Sequence, residues 1–264
     1  LESINAFLNG ATVDPVEVYQ NVKKTWMTYI EFENPILYEF LTLWTIGTYF
    51  FHLFNTYPYI YFGGIKRSGK TKALTLAYLM CFNGIFSCNI STPSLFRLIQ
   101  SGRCTVLMDE TEELKSPERR QELRSLLLSG YKRGALVYRT EKTGKERLVP
   151  KAFEVFSPKM IANIRGIEDV LEDRCIVIIM KRGKNKKITD REPVANDPLW
   201  QKIRDDLYIL FLQYWMDVQK IYEKISEGCV GSEGSEPIGL KNIIKNKCKR
   251  LGALEADCNT RRIF

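Results

Sequence analysis

The stretch FGGIKRSGKT, Phe62 to Thr71, decides the fold. It follows the apolar run YPYIYF (57–62) and leads into KALTLAYLM (72–80). Gly64, Gly69, Lys70 and Thr71 satisfy the G-x4-G-K-[ST] spacing, and a strand before it with a helix after it is the context that gives the pattern meaning. In such a loop glycines let backbone N–H groups turn inward around phosphate oxygens, and the helix N-terminus adds its partial positive charge. The nucleotide-binding candidates are therefore Gly64, Ser68, Gly69, Lys70 and Thr71. Lys70 is expected to reach the β- and γ-phosphates of ATP, and the Thr71 hydroxyl to ligate Mg2+. The bland alternative is a Gly/Lys-rich surface turn.

A phosphate loop needs a second site that holds the metal and prepares a water. CTVLMDE, Cys104 to Glu110, supplies it: an apolar strand ending in two acids. Asp109 is the expected magnesium partner, and Glu110 the group that orients or deprotonates the attacking water. An acid adjacent to the metal partner favours hydrolysis over transfer. Otherwise the pair is an ordinary strand end with solvated acids.

Outward from these motifs, short apolar runs alternate with amphipathic segments, the texture of a parallel sheet covered by helices on both faces. The expected strands are 59–62, 85–90, 104–108, 159–164 and 175–180, five in all. Because 85–90 lies between the phosphate-loop helix and the Asp-Glu strand, an additional strand is expected to separate the two sites in the sheet. Thr92-Pro93 and Ser116-Pro117-Glu118 open helices, the second stopping near Gly130. Asp14-Pro15, Asn34-Pro35 and Asp197-Pro198 open three more, the last one long. Residues 228–237 read as a linker and the basic segment after them as one more helix. Three regions follow: an N-terminal helical region, 1–56; an α/β core, 57–192, with an inserted hairpin at about 132–151; and a C-terminal helical lid and basic tail, 193–264.

The chain has 264 residues and a formal net charge of +8, from 39 Lys+Arg against 31 Asp+Glu, which suits an anionic partner. Between Lys132 and Lys151, two strand-like arms flank a turn at Gly144, with seven basic residues and two acidic ones. More than half of the net charge thus sits in twenty positions. The second basic loop, Lys181 to Arg191, carries six basic residues and Asp190, and reads as a mobile surface loop. The segment 36–54 is long enough for a bilayer span, but Glu39, His52 and the Asn34-Pro35 start favour a buried helix, and no membrane segment is expected. Seven cysteines with no C-x-x-C pair and a single histidine give no support for zinc. An odd cysteine count without a signal peptide points to a reducing, cytoplasmic setting and to buried thiols. The start at Leu1 suggests an excised fragment.

Taken together, YEFLTLWTIGTYFFHLFNTYPYIYFGGIKRSGKT, TPSLFRLIQSGRCTVLMDETEEL, ELRSLLLSGYKRGALVYR and FEVFSPKMIANIRGIEDVLEDRCIVIIMKR resemble an AAA+-type, MCM-like or superfamily-3-like helicase ATPase family of phages, plasmids and integrated elements. The resemblance covers about residues 38–182. It implies a P-loop NTPase of the additional-strand type acting as a hexameric ring in DNA replication, in the host cytoplasm or nucleoid. It also implies roles for single residues. Asn163, ending its strand, corresponds to a residue that senses the γ-phosphate, where the alternative is a turn amide. Arg174, before the last strand, corresponds to a finger that reaches a neighbour's nucleotide, where the alternative is an ion pair with Glu172 or Asp173. Lys142, Lys145 and Arg147 on the hairpin become DNA phosphate contacts, where the alternative is a solvated hairpin. The lid arginine of such relatives stays open here among Arg191, Arg204 and others. An ATP-driven switch or remodelling factor acting on protein is the competing function, and a nucleotide-binding scaffold without motor action a third.

Overall fold

Asx-Pro pairs start the helices that frame the sheet. In this computed structural model, which describes residues 2–87, 92–109, 117–143, 147–163 and 169–228, a short helix α1 (Glu2–Leu8) precedes α2 (Pro15–Tyr29) and α3 (Ile36–Phe50). The Asp14 carboxylate accepts from Val16 N at 3.0 Å, and the Asn34 amide oxygen accepts from Ile36 N at 3.1 Å. Each satisfies an N–H that the first helical turn leaves without an intrahelical acceptor. A 3-10 turn (Phe51–Leu53) leads to β1 (Tyr59–Gly63), the phosphate loop and α4 (Lys70–Met80). Then come β2 (Ile85–Ser87), α5 (Thr92–Gly102), β3 (Val106–Asp109), α6 (Pro117–Ser129), β4 (Leu136–Thr143) and β5 (Arg147–Glu154). The chain continues through β6 (Lys159–Ala162), α7 (Asp169–Glu172), β7 (Cys175–Ile179), α8 (Lys186–Thr189) and α9 (Pro198–Gly228). The expected linker and basic tail after residue 228 lie outside the described residues.

The sheet has five parallel strands in the order β2-β3-β6-β1-β7. A strand does separate the phosphate-loop strand from the Asp109 strand, but it is β6, not the 85–90 segment. β2 lies beyond β3 at the sheet edge, because the chain leaves β1, crosses through α4 to that edge and returns through α5. The register levels Phe62, Ala162 and Asp109 across three neighbouring strands. At ~4.8 Å per strand spacing, Asp109 stands about 10 Å from the phosphate-loop strand.

Strand side chains alternate between faces, and each face has its own core. Ile60, Phe62, Leu107, Met160, Ala162, Ile176 and Ile178 meet α2, α3, α4 and α9. Tyr59, Tyr61, Val106, Met108, Ile161, Cys175 and Val177 meet α5, α6 and the base of the hairpin. Trp26, Trp44 and Trp200 are fully buried in the first core, and each finds an acceptor: Trp26 Nε1 donates to Thr45 Oγ1 at 3.2 Å, Trp44 Nε1 to Pro58 O at 2.8 Å and Trp200 Nε1 to Val194 O at 2.7 Å. The N-terminal helices thus form part of the core that supports the sheet. Among the described residues no helix is long and apolar enough to cross a membrane. Cys81, Cys104 and Cys175 are buried thiols; burial pushes Cys81 up to about 12 and Cys104 up to about 11.

The hairpin is present as expected, β4 pairing antiparallel with β5 from Leu136↔Glu154 to Thr143↔Arg147. Its inner face docks on the sheet layer: Arg139 pairs with Glu122 of α6 at 3.2 Å and lies 5.0 Å from the centre of the Phe96 ring of α5. Its base is stitched to the segment before β1, with Tyr57 N donating to Tyr131 O and Arg133 N to Asn55 O.

Lys159 opens β6 and is fully buried, and burial pulls its pKa down to about 7. The unfolded chain then holds this proton up to the ordinary 10.5 while the native state releases it near 7, so stability rises with pH across that window and the penalty is full below it. The buried thiols act in the opposite direction above about pH 9. Urea midpoints measured between pH 7 and 8.5 should therefore increase with pH, and Lys159→Met should flatten that dependence.

Candidate nucleotide-binding site

The phosphate loop is shaped by residues in the left-handed region. Gly64 has φ 136°, Arg67 φ 62° and Gly69 φ 89°. A Cβ on Gly64 would collide with the Met180 carbonyl oxygen, so the loop starts in close contact with the end of β7. Met180 N donates to Gly63 O at 2.7 Å and closes that contact. Gly69 caps α4, its carbonyl accepting from Ala73 N at 2.9 Å. Lys70, buried at 8% exposure, donates through Nζ to Gly64 O and Ile65 O, each at 2.8 Å, and lies 3.4 Å from Ser68 Oγ.

A cavity of about 670 Å³ opens over this loop. Ser68, Gly69, Lys70 and Thr71 line it from the loop side, Asp109 from the end of β3 and Asn163 from the end of β6. Asn163 is held beside the loop strand, its N donating to Phe62 O at 3.1 Å. Among the described residues, five cationic side chains, Lys66, Arg67, Lys70, Lys72 and Lys181, face the cavity against three anionic ones, Glu31, Asp109 and Glu192. The excess positive charge suits a polyphosphate. Thr71 and Asp109 offer a hydroxyl and a carboxylate oxygen to the same space, the hard donors that Mg2+ takes alongside phosphate oxygens.

The other candidates are placed differently. Gly64 lies at the loop entry and shapes it without lining the cavity. Arg174 precedes β7 at the opposite end of the sheet, where its carbonyl accepts from Tyr59 N at 3.0 Å. Four strand residues separate Tyr59 from Gly63, or about 13 Å, so Arg174 sits away from its own phosphate loop. Glu110 and Lys145 lie outside the described residues. Positions 142 and 147 fall in β4 and β5, paired with Leu148 and Thr143. Of the open lid arginines, Arg204 donates to Leu79 O at 2.8 Å, at the far end of α4 and about 14 Å along the helix from Lys70.

Two expectations are corrected in shape. The 181–191 loop, read as a mobile surface loop, forms a wall of the cavity. Glu31 accepts from Lys184 N at 2.7 Å and Asn185 N at 2.8 Å, Arg182 Nε donates to Lys66 O at 3.3 Å, and Lys72 Nζ donates to Thr189 O at 2.6 Å and Arg191 O at 2.9 Å. Lys72 also pairs with Glu192 at 3.2 Å. The long helix α9, expected as a lid, contributes no residue to the cavity wall and packs into the core through Trp200, Ile203, Leu207 and Leu210. Lys72, Glu31, Tyr29 and Thr189 complete the wall. No motif marks them, since each is brought in by packing.

No model of a known protein family matches this chain, and no curated protein matches it. Among solved structures, JCV helicase aligns with a TM-score of 0.38 at 16% identity, over 76% of this chain and 55% of that one. JCV helicase bound to a thiazolopyridinyl-phenoxyphenyl acetamide aligns with a TM-score of 0.37 at 17% identity, over 76% and 55%. The C-terminal region of NrS-1 in its apo form aligns with a TM-score of 0.38 at 15% identity, over 75% of this chain and 43% of that one. This chain spans about half the length of these structures.

Because Lys72 ties the wall loop to the phosphate-loop helix, Lys72→Met should weaken binding of a fluorescent ATP analogue about tenfold. Limited proteolysis should then cut between Lys181 and Arg191. Unchanged affinity and protection would show that the loop needs no anchor from α4.

Proposed function

We propose that this chain is the ATP- and magnesium-dependent motor of a DNA helicase or translocase of a mobile genetic element, working in replication as a hexameric ring. The observation that carries the reading is the convergence of Ser68, Gly69, Lys70 and Thr71 with Asp109 and Asn163 on one cationic cavity. Five parallel strands with the loop at the C-terminal end of β1 match a P-loop NTPase, and β6 between β1 and β3 matches the additional-strand class. In this reading loop N–H groups and Lys70 hold the triphosphate and Asn163 contacts its terminal phosphate. Thr71 and Asp109 would hold Mg2+, which when bound would supply positive charge against the phosphate oxygens. Glu110, next after Asp109, aligns the attacking water. Arg174, distant from its own loop, serves a neighbouring protomer's nucleotide and stabilises transition-state charge there.

Nucleic acid is assigned to the hairpin through its charge, with Lys142, Lys145 and Arg147 as phosphate contacts. One observation favours the competing protein-remodelling role: Tyr138 on the outer hairpin face is 67% exposed, an aromatic of the kind that grips polypeptide.

Magnesium-dependent ATPase rates, measured across protein concentration with and without single- and double-stranded DNA and with Lys70→Ala as blank, test the proposal. Turnover should rise with both concentration and DNA. Turnover that rises with concentration but ignores DNA would favour the remodelling role. Glu110→Gln should bind ATP yet reduce hydrolysis at least a hundredfold, and normal turnover would remove it as the water-aligning group. Lys142→Ala/Lys145→Ala should weaken DNA binding and lower its salt slope by about two.

A further inference from the structure

We propose that Lys159 is a positioning residue that couples the nucleotide state at Asn163 to the posture of the hairpin; the inference rests on the motor reading above. The insertion that carries the hairpin leaves the α/β layer at Gly130 and re-enters it at Ser157. Lys159 Nζ reaches both ends: Val155 O at 3.1 Å, Ser157 O at 3.1 Å, Ser157 Oγ at 3.0 Å and Gly130 O at 3.4 Å all surround it, sharing at most three N–H donors. Ser157 N closes the same junction by donating to Gly130 O at 3.3 Å. The Tyr59 ring lies 4.9 Å from Nζ, and the Tyr59 hydroxyl donates to Leu127 O of α6. A Cβ on Gly130 would stand 2.5 Å from Nζ and from Val155 O, so the junction accepts no side chain there.

A fully buried lysine amine is costly whether charged or neutral, and an apolar residue of similar length would fill the space without the desolvation penalty. What a methionine does not supply is several donors on one atom, able to hold carbonyls from two chain segments together. The lysine therefore acts as a clasp on the two ends of the inserted hairpin. Four residues along the same strand stands Asn163, in the wall of the nucleotide cavity. β6 is hydrogen-bonded to β1 on one side and β3 on the other, so its two ends, about 13 Å apart, move together. A shift of Asn163 toward or away from a terminal phosphate thus reaches the hairpin base through Lys159.

The test is a coupling factor. Affinity for a fluorescent single-stranded oligonucleotide is measured by anisotropy with Mg2+ and either ADP or a non-hydrolysable ATP analogue, alongside nucleotide affinity and basal ATPase. The wild-type chain should show a 5- to 150-fold difference between the two states. In Lys159→Met that ratio should fall below about twofold, while nucleotide affinity and basal turnover stay within about twofold of wild type. A merely structural lysine would move the individual affinities and leave their ratio. Ser157→Ala, which removes one acceptor, should give an intermediate ratio and carries the test if Lys159→Met does not fold. A wild-type ratio in either folded variant overturns the proposal, as does a wild-type protein that binds DNA equally in both states while its ATPase still responds to DNA. Absence of DNA binding in the wild-type chain overturns the motor reading itself, and this inference with it.

Discussion

Double pairing of β6, to β1 on one side and β3 on the other, is the constraint on which the rest depends. A strand hydrogen-bonded along both edges has no freedom to bend or slide alone, so it fixes the distance between the phosphate loop and Asp109 and sets Asn163 between them. The same strand starts at Lys159, where the hairpin insertion joins the sheet. One short buried element therefore meets the cationic cavity at its C-terminal end and the hairpin at its N-terminal end.

Two independent cores hold this sheet rigid. The α2, α3, α4 and α9 side buries three tryptophans and satisfies the polar edge of each. The α5 and α6 side is smaller and includes the hairpin base. Because α3 is covered by α2 and α9 on one side and by the sheet on the other, its apolar surface needs no bilayer. That arrangement explains how a run of nineteen mostly apolar residues, 36–54, belongs to a globular core.

The excess positive charge is divided between two structural roles. On the described part of the hairpin, Arg139 turns inward to pair with Glu122 of α6, while Lys132, Arg133 and Lys151 are exposed. In the 181–191 loop the charge is held against Glu31, Glu33 and the phosphate loop, and much of its contact runs through backbone groups. The Lys181–Glu33 pair at 2.7 Å is largely exposed and contributes little by itself; the buried anchor is Lys72. Composition alone treats the two basic segments alike, whereas one is a cavity wall and the other a β-ribbon docked on α5 and α6.

What the sequence determined by itself is local. The phosphate-loop spacing, the Asx-Pro helix starts, the five apolar runs and the two hairpin arms all follow from neighbours within a few residues, where glycine dihedrals, capping hydrogen bonds and side-chain alternation act. That Ser68 to Thr71, Asp109 and Asn163 share one cavity could be anticipated because each ends an apolar strand or follows one. Only the tertiary structure decided which strand stands between the two motifs, that α9 braces the core instead of covering the cavity, that Lys72 and Glu31 pin the wall loop, and that a lysine in KMIA is buried on the hairpin's ends. These depend on crossover connections and on partners more than a hundred residues apart, such as Lys72 with Thr189 and Glu31 with Lys184. No periodicity in the chain records a contact at that separation, because the surface each residue meets exists only after the sheet has assembled.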